Sequence, residues 1–177
     1  MKKVLKEIFN TIVYLACIFV LTFLFITFIA QRTEVSGSSM EPTLHNEDSL
    51  LVDKLSYRFS DPKRFDIVIF PYKYGNKQYF IKRVIGLPGE TVRIDESGNI
   101  YINGQVLSEN YGAEVILEPG RAIEEITLGE DEYFVMGDNR NHSMDSRDPS
   151  VGNVQKEDII GKAFIRIFPF DSFGGIR

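Results

Sequence analysis

Cysteine and histidine are nearly missing from this chain. Its 177 residues include one cysteine, Cys17, and two histidines, His45 and His142. A single cysteine forbids an intrachain disulfide, so the fold must be held by packing alone. Two histidines far apart in sequence, with no other sulfur ligand near them, make a zinc site improbable. No metal and no other cofactor is expected. Positive charge is also scarce beyond the N-terminus. After residue 31 the chain carries 17 basic and 24 acidic residues, a net −7. That balance argues against a nucleic-acid partner and against electrostatic docking of this part on anionic lipid.

Charge of either sign is absent from residues 8–31, which are mostly Leu, Ile, Val and Phe. About 20 apolar residues match the hydrocarbon thickness of a bilayer. The run is apolar on every face, unlike a helix that packs one stripe on a core. Lys2, Lys3 and Lys6 precede it and Arg32 follows. Three lysines on the short side predict a cytoplasmic N-terminus. The rival reading is a cleaved secretory leader, whose apolar region is shorter, roughly 7–15 residues, and ends in small residues. Phe28-Ile29-Ala30 puts a bulky ring where such a site needs a small residue. Residues 1–32 are therefore expected to form a cytoplasmic N-terminus and transmembrane anchor, and 33–177 a domain outside the cytoplasm.

Beyond the anchor the hydrophobic period becomes strand-like. "SLLVDKL" (49–55), "DIVIF" (66–70), "QYFIKRVI" (78–85), "TVRI" (91–94) and "YFVM" (133–136) are short and rich in β-branched and aromatic residues. "YINGQVL" (101–107) reads as a hairpin with Asn103-Gly104 in a type I′ turn. "DIIGKAFIRIF" (158–168) reads as a long closing strand. Residues 109–132 hold eight acidic residues against one basic, Arg121, as a solvated excursion would. The fold class is mainly β: an antiparallel core with a small inserted cap at 91–132, preceded by one transmembrane helix.

"SGSSMEPTL" (36–44) places three serines just past the anchor. Serine needs a base within hydrogen-bond reach to act as a nucleophile. His142, in "GDNRNHSMDSR" with Asp138 and Asp145 nearby, allows a Ser-His-Asp triad, and the order of triad members along a chain is free. His45 sits in a polar turn. The other possible base is Lys82 in "YFIKRVIGLPGE" (79–90). Its neighbour Arg83 cannot lose its proton, whereas a buried lysine can. The plain reading of each is also open: a solvated loop for the histidines, a surface strand with an apolar stem for Lys82.

Three stretches, in this order behind an apolar N-terminus, resemble the type I signal peptidases, membrane-bound serine proteases that cut signal peptides from exported proteins. They are "GSSMEPTL" (37–44), "FIKRVIGLPGE" (80–90) and "MGDNRNHSMDSR" (136–147), with "FDIVIF" (65–70) and "IGKAFIRIFPF" (160–170) in support. The single anchor and short insert resemble the Gram-positive bacterial layout. The resemblance implies Ser39 as nucleophile and Lys82 as general base, where endoplasmic-reticulum relatives carry histidine. It implies that Ser143 helps hold the lysine and that Asp145 and Arg147 shape the site. Met40, Leu44, Phe80 and Ile81 match or lie at positions of the substrate pockets. Gly37 stands where some members add a hydroxyl to the oxyanion hole. The implied partners are secretory preproteins, bound as an extended strand with small residues at −1 and −3, and the lipid bilayer. Two other functions fit the same chain: a non-catalytic membrane-anchored β module that binds a protein, and a processing protease dedicated to one substrate.

The lysine bias makes a direct prediction. Protease added to intact spheroplasts is expected to digest residues 33–177. Protection of that region, seen by immunoblotting, would reverse the orientation.

Overall fold

The computed structural model describes residues 2–28, 30–75 and 78–176. Ile29 of the Phe28-Ile29-Ala30 stretch lies outside the described residues. Helix α1 runs over Lys2–Phe28, contains no Gly or Pro, and turns large apolar side chains to every side. Among the described residues it is the one helix long and apolar enough to cross a membrane, over Lys3–Leu24.

Twelve strands follow among the described residues: β1 (Ala30–Glu34), β2 (Ser49–Asp53), β3 (Ile67–Pro71), β4 (Tyr79–Gly86), β5 (Thr91–Ile94), β6 (Ile100–Ile102), β7 (Gln105–Val106), β8 (Ile126–Thr127), β9 (Glu132–Met136), β10 (Val154–Gln155), β11 (Gly161–Phe168) and β12 (Gly174–Gly175). The larger sheet has the order β1-β2-β11-β3-β4-β9-β10, with β12 on β11; the smaller has the order β7-β6-β5-β8. All the pairings are antiparallel. The fold is mainly antiparallel β, with the small sheet inserted between the neighbouring strands β4 and β9.

The strong alternating segments of the sequence all become strands, within a residue or two at most ends. Asn103 (φ 52°) and Gly104 (φ 75°) both take the left-handed conformations that a type I′ turn needs. The short strands β1, β8, β10 and β12 carry too few apolar residues to announce themselves. β1 starts at Ala30, so residues 30–32 lie in the sheet rather than in the helix. The closing strand starts at Gly161, not at 158, because Lys156–Asp158 form a 3-10 turn first.

Three apolar clusters fill the domain. One joins the two sheets, with Ile85, Val92, Ile94, Leu128 and Phe134 at 0–2% exposure. A second packs Met40 and Leu44 onto Leu50, Val52, Ile67 and Ile69. The third lies around Val68, Phe70, Val84 and Val135, flanked by Phe80 and Tyr72. Thus the segment just after Ser39 is part of the core, and β4 touches all three clusters through Ile81, Val84, Phe80 and Ile85.

Gly161 marks where β11 crosses β2 most closely. A Cβ there would lie 2.3 Å from the Asp53 carbonyl oxygen. Gly161→Ala is therefore expected to destabilise the domain by about 1–3 kcal/mol, the usual range for overpacking against an unyielding wall. Urea denaturation of the detergent-solubilised protein measures this; an unchanged midpoint would contradict the packing described.

Candidate active site

Ser39 sits in a loop whose ends are tied together. The Val35 N–H donates to the Asp48 carbonyl at 2.8 Å, and the Glu47 N–H to the Val35 carbonyl at 2.9 Å. Gly37, with φ at 98°, makes the turn into the serine, and its N–H donates to Asn46 Oδ1 at 2.9 Å. Met40 and Leu44, at 1% and 0% exposure, pin the far side into the core. The Ser39 carbonyl accepts from the Asn139 N–H at 3.1 Å, and the Ser38 carbonyl from Asn139 Nδ2 at 3.1 Å. Ser36 and Ser38 are exposed; Ser39 is half-buried.

Consecutive residues of a strand project to opposite faces. On β4 this separates Lys82 from Arg83. Lys82 is 3% exposed, and its Nζ donates to Ser39 Oγ at 2.7 Å and to the Ile81 carbonyl at 3.0 Å. The Phe80 ring centre is 5.0 Å from the same nitrogen. Burial pulls the Lys82 amine down to about 8 from its ordinary 10.5, against the opposing charges of Asp145 and Asp138. Desolvation wins because each carboxylate is already held by an arginine. Asp138 accepts from Arg83 Nε at 2.8 Å and Nη2 at 2.6 Å. Asp145 accepts from Arg147 Nε and Nη2, both at 2.9 Å, and from the Gly137 N–H at 3.0 Å.

Both histidines are exposed. No described hydrogen bond joins the His142 ring to Asp138 or Asp145, whose oxygens are taken by arginine and backbone partners. The geometry favours the lysine as the neighbour of the serine. Ser143 lies close by, but its Oγ is buried without a hydrogen-bond partner among the described residues. It packs against Gly137, where a Cβ would lie 2.2 Å from Ser143 Oγ and 2.4 Å from the Ser39 carbonyl. No described hydrogen bond joins Ser143 to Lys82.

Ser39 and Lys82 open onto a cleft of about 420 Å³. One wall is Thr33–Ser36 and the other Gln78–Lys82, with Met40 and Ile69 between them and Met144 at the rim. β1 and β4 are separated in the sheet by β2, β11 and β3, so the sheet must curl for both to reach one cleft. Met40, Phe80 and Ile81 line it. Leu44 does not; it is fully buried behind Met40. A larger cavity of about 630 Å³ near Lys54 and Ile159 holds no serine or cysteine.

Two residues of this constellation, Asn139 and Arg166, were not singled out in the sequence, and Arg83 was weighed there only as a base and set aside. Asn139 ties down the serine's carbonyl. Arg83 joins strand to loop. Arg166 reaches from β11 to the Thr43 carbonyl (2.8 Å) and to Asp48 (3.0 Å), clamping the serine's loop at tip and neck. The one signal available for Arg166 was a charge inside the apolar "AFIRIF".

The comparisons with known proteins identify the family. The family described as signal peptidase, peptidase S26, matches residues 5–168. A protein named probable signal peptidase I-2 from Synechocystis sp. is 42% identical over 153 residues, 84% of this chain and 67% of its own length. Signal peptidase I P from Bacillus subtilis subsp. natto is 38% identical over 159 residues, 86% of this chain and 84% of its own. A crystal structure of a signal peptidase I from Enterococcus faecalis V583 is 40% identical, covers 58% of this chain and 97% of that one, and has a TM-score of 0.48. By its family model and its named relatives, this β-rich chain is a hydrolase. The chain belongs to the signal peptidase family, peptidase S26.

The lowered Lys82 value has a consequence for stability. The unfolded chain holds this proton up to about 10.5 and the folded one only to about 8. The unfolded state binds more protons between those values, so the folded state gains stability as pH rises from about 8 to 10.5. Below 8 the whole cost of the buried amine is present. Lys82→Met removes it. The variant is expected to be more stable than the parent by about 2–3 kcal/mol at pH 6.5 and by about 1 kcal/mol or less at pH 10. Urea titrations at the two pH values check this; a gain independent of pH would mean that the amine is not responsible.

Proposed function

We propose that this protein is a membrane-anchored serine endopeptidase that removes signal peptides from exported preproteins with a Ser39/Lys82 dyad. The observation that carries the reading is the 2.7 Å contact between Lys82 Nζ and Ser39 Oγ, made by a buried lysine whose amine is pulled down to about 8.

With Lys82 neutral, the Ser39 O–H donates to Nζ. Oγ attacks the carbonyl carbon of the scissile peptide as its proton passes to Nζ. The tetrahedral oxyanion is received by the Ser39 N–H, which takes part in none of the described hydrogen bonds. Gly37 offers no hydroxyl as a second donor. Nζ then protonates the leaving amine, the C–N bond breaks, and an ester on Ser39 remains. Water, giving its proton to Lys82, hydrolyses the ester, and that proton returns to Ser39 Oγ. Asp145 and Arg147 act by shaping: their ion pair holds the Gly137 N–H and so the floor under Ser143. Ser143 Oγ, unpartnered and beside the dyad, orients the amine once substrate is bound.

The substrate lies extended in the cleft. β3 covers one edge of β4 along Tyr79–Arg83, while β9 covers the other only from Arg83 onward. The second edge of residues 79–82 is left for a peptide to add as a strand, with alternate side chains entering pockets. Met40, Phe80 and Ile81 bound those pockets, and Leu44 supports Met40 from behind. Residues at −1 and −3 are small, such as Ala, Gly or Ser. With three lysines before α1, the N-terminus is cytoplasmic and the domain from residue 33 faces outward, with 91–132 as its cap. The contact between the serine and the lysine weighs against a non-catalytic binding module. A dedicated processing protease would use the same chemistry on one preprotein.

Activity is expected to rise with pH through about 8 as Lys82 loses its proton, giving an alkaline optimum. Ser39→Ala abolishes turnover. Lys82→Arg does nearly the same although it keeps the charge, because arginine is no base. The double variant is hardly worse than either, since members of such a unit are not additive. Initial rates on a preprotein, with folding checked by circular dichroism, decide this; near-full activity in a folded Lys82→Arg protein removes the dyad.

A preprotein with Phe at −1 is expected to stay uncut, because the ring can enter only by straining a packed wall. Efficient cutting of that substrate at the same bond, located by mass spectrometry, contradicts the pocket.

A further inference from the structure

We infer that Glu34 selects among substrates by charge, favouring a basic residue at −2 and disfavouring an acidic one. The inference rests on the signal-peptide reading of the cleft given above.

The wall formed by residues 33–36 alternates. Val35 is buried and Thr33 is half-buried, whereas Glu34 and Ser36 are exposed. An extended peptide added beside this wall alternates in the same way. If −1 and −3 enter the pockets with Met40 and Ile81, −2 points away from them, to the side on which Glu34 and Ser36 stand. On the opposite wall the exposed residues are Gln78 and Tyr79, both uncharged. The dyad's own cation lies at the bottom of the cleft, 3% exposed. Arg32 shares the face of Glu34 on β1, but its Nη2 is directed at Ser49 Oγ, 2.9 Å away. Glu34 is thus the acidic side chain of the cleft wall. Neighbouring residues across adjacent strands attract when oppositely charged and repel when alike.

Three peptides, identical except for Lys, Gln or Glu at −2 and with Ala at −1 and −3, provide the test. They are cleaved by the full chain in a neutral detergent at low salt. The ratio of kcat/KM for the Lys peptide over the Glu peptide is expected to be about five, and to fall toward one at about 0.5 M salt, where the screening length is a few Å. Glu34→Gln brings the low-salt ratio close to one, and Glu34→Lys reverses it. A parental ratio near one overturns the inference. So does an undiminished ratio in Glu34→Gln, which would place the preference in the acidity of the whole domain. Failure of the parent to cut even the Gln peptide after Ala overturns the reading of the cleft itself, and the inference with it.

Discussion

A lysine amine kept out of water beside a serine is an unfavourable arrangement, and most of the domain around it serves to keep it so. Two carboxylates, Asp138 and Asp145, are near enough to favour its charged form. Left bare, they would hold the proton on. Each instead spends its field on an arginine fork, Arg83 or Arg147. The Arg83–Asp138 pair ties strand β4 to the 136–147 segment, and Arg147–Asp145 braces that segment internally. Removing one member of such a pair costs roughly 3–5 kcal/mol because it strands the other. The pairs also screen the amine from acid, so apolar packing by Phe80 and its neighbours sets the balance. Stability and reactivity thus draw on the same contacts.

The serine is fixed by a different device. Its loop is short, closed at the neck by Val35, Glu47 and Asp48, and anchored in the core by Met40 and Leu44. Thr43 is gripped from both sides, its hydroxyl by Asp138 (2.6 Å) and its carbonyl by Arg166. Lys82 is on a strand and Ser39 on a loop, yet Asp138 and Arg83 bind the two segments into one unit. Pre-organisation of this sort keeps the reacting atoms within reach without waiting for substrate.

Much of this was readable in the chain, for identifiable reasons. An uncharged run over residues 8–31 and strong apolar alternation at 66–70, 78–85 and 133–136 leave few options for a folded chain. Asn103-Gly104 has one common use between strands. The serine, the lysine and the pocket residue Met40 were legible through quoted motifs. What stayed hidden depended on contacts between distant segments. The two-residue strands β8, β10 and β12 exist because a neighbour pairs with them, not because of their own composition. Leu44 shares a motif with Met40, but only packing tells which of the two faces the cleft. Arg166 lies 123 residues after the carbonyl it holds, and no local pattern marks such a partnership. Ser143 belongs to the quoted 136–147 motif, but that its Oγ is buried without a partner is visible only in the fold.

The direct passage from α1 into β1 has a mechanical meaning. Strand β1 is both the first segment after the helix and, through Thr33 and Glu34, a wall of the cleft. From Leu24 to Thr33 a fully extended chain reaches about 30 Å at most. Were α1 seated in a bilayer, as proposed, the cleft would be on a leash of that length. Any bond it met would itself lie within that distance of the lipid surface, and proteins drifting past farther out would be out of range, whatever their sequence.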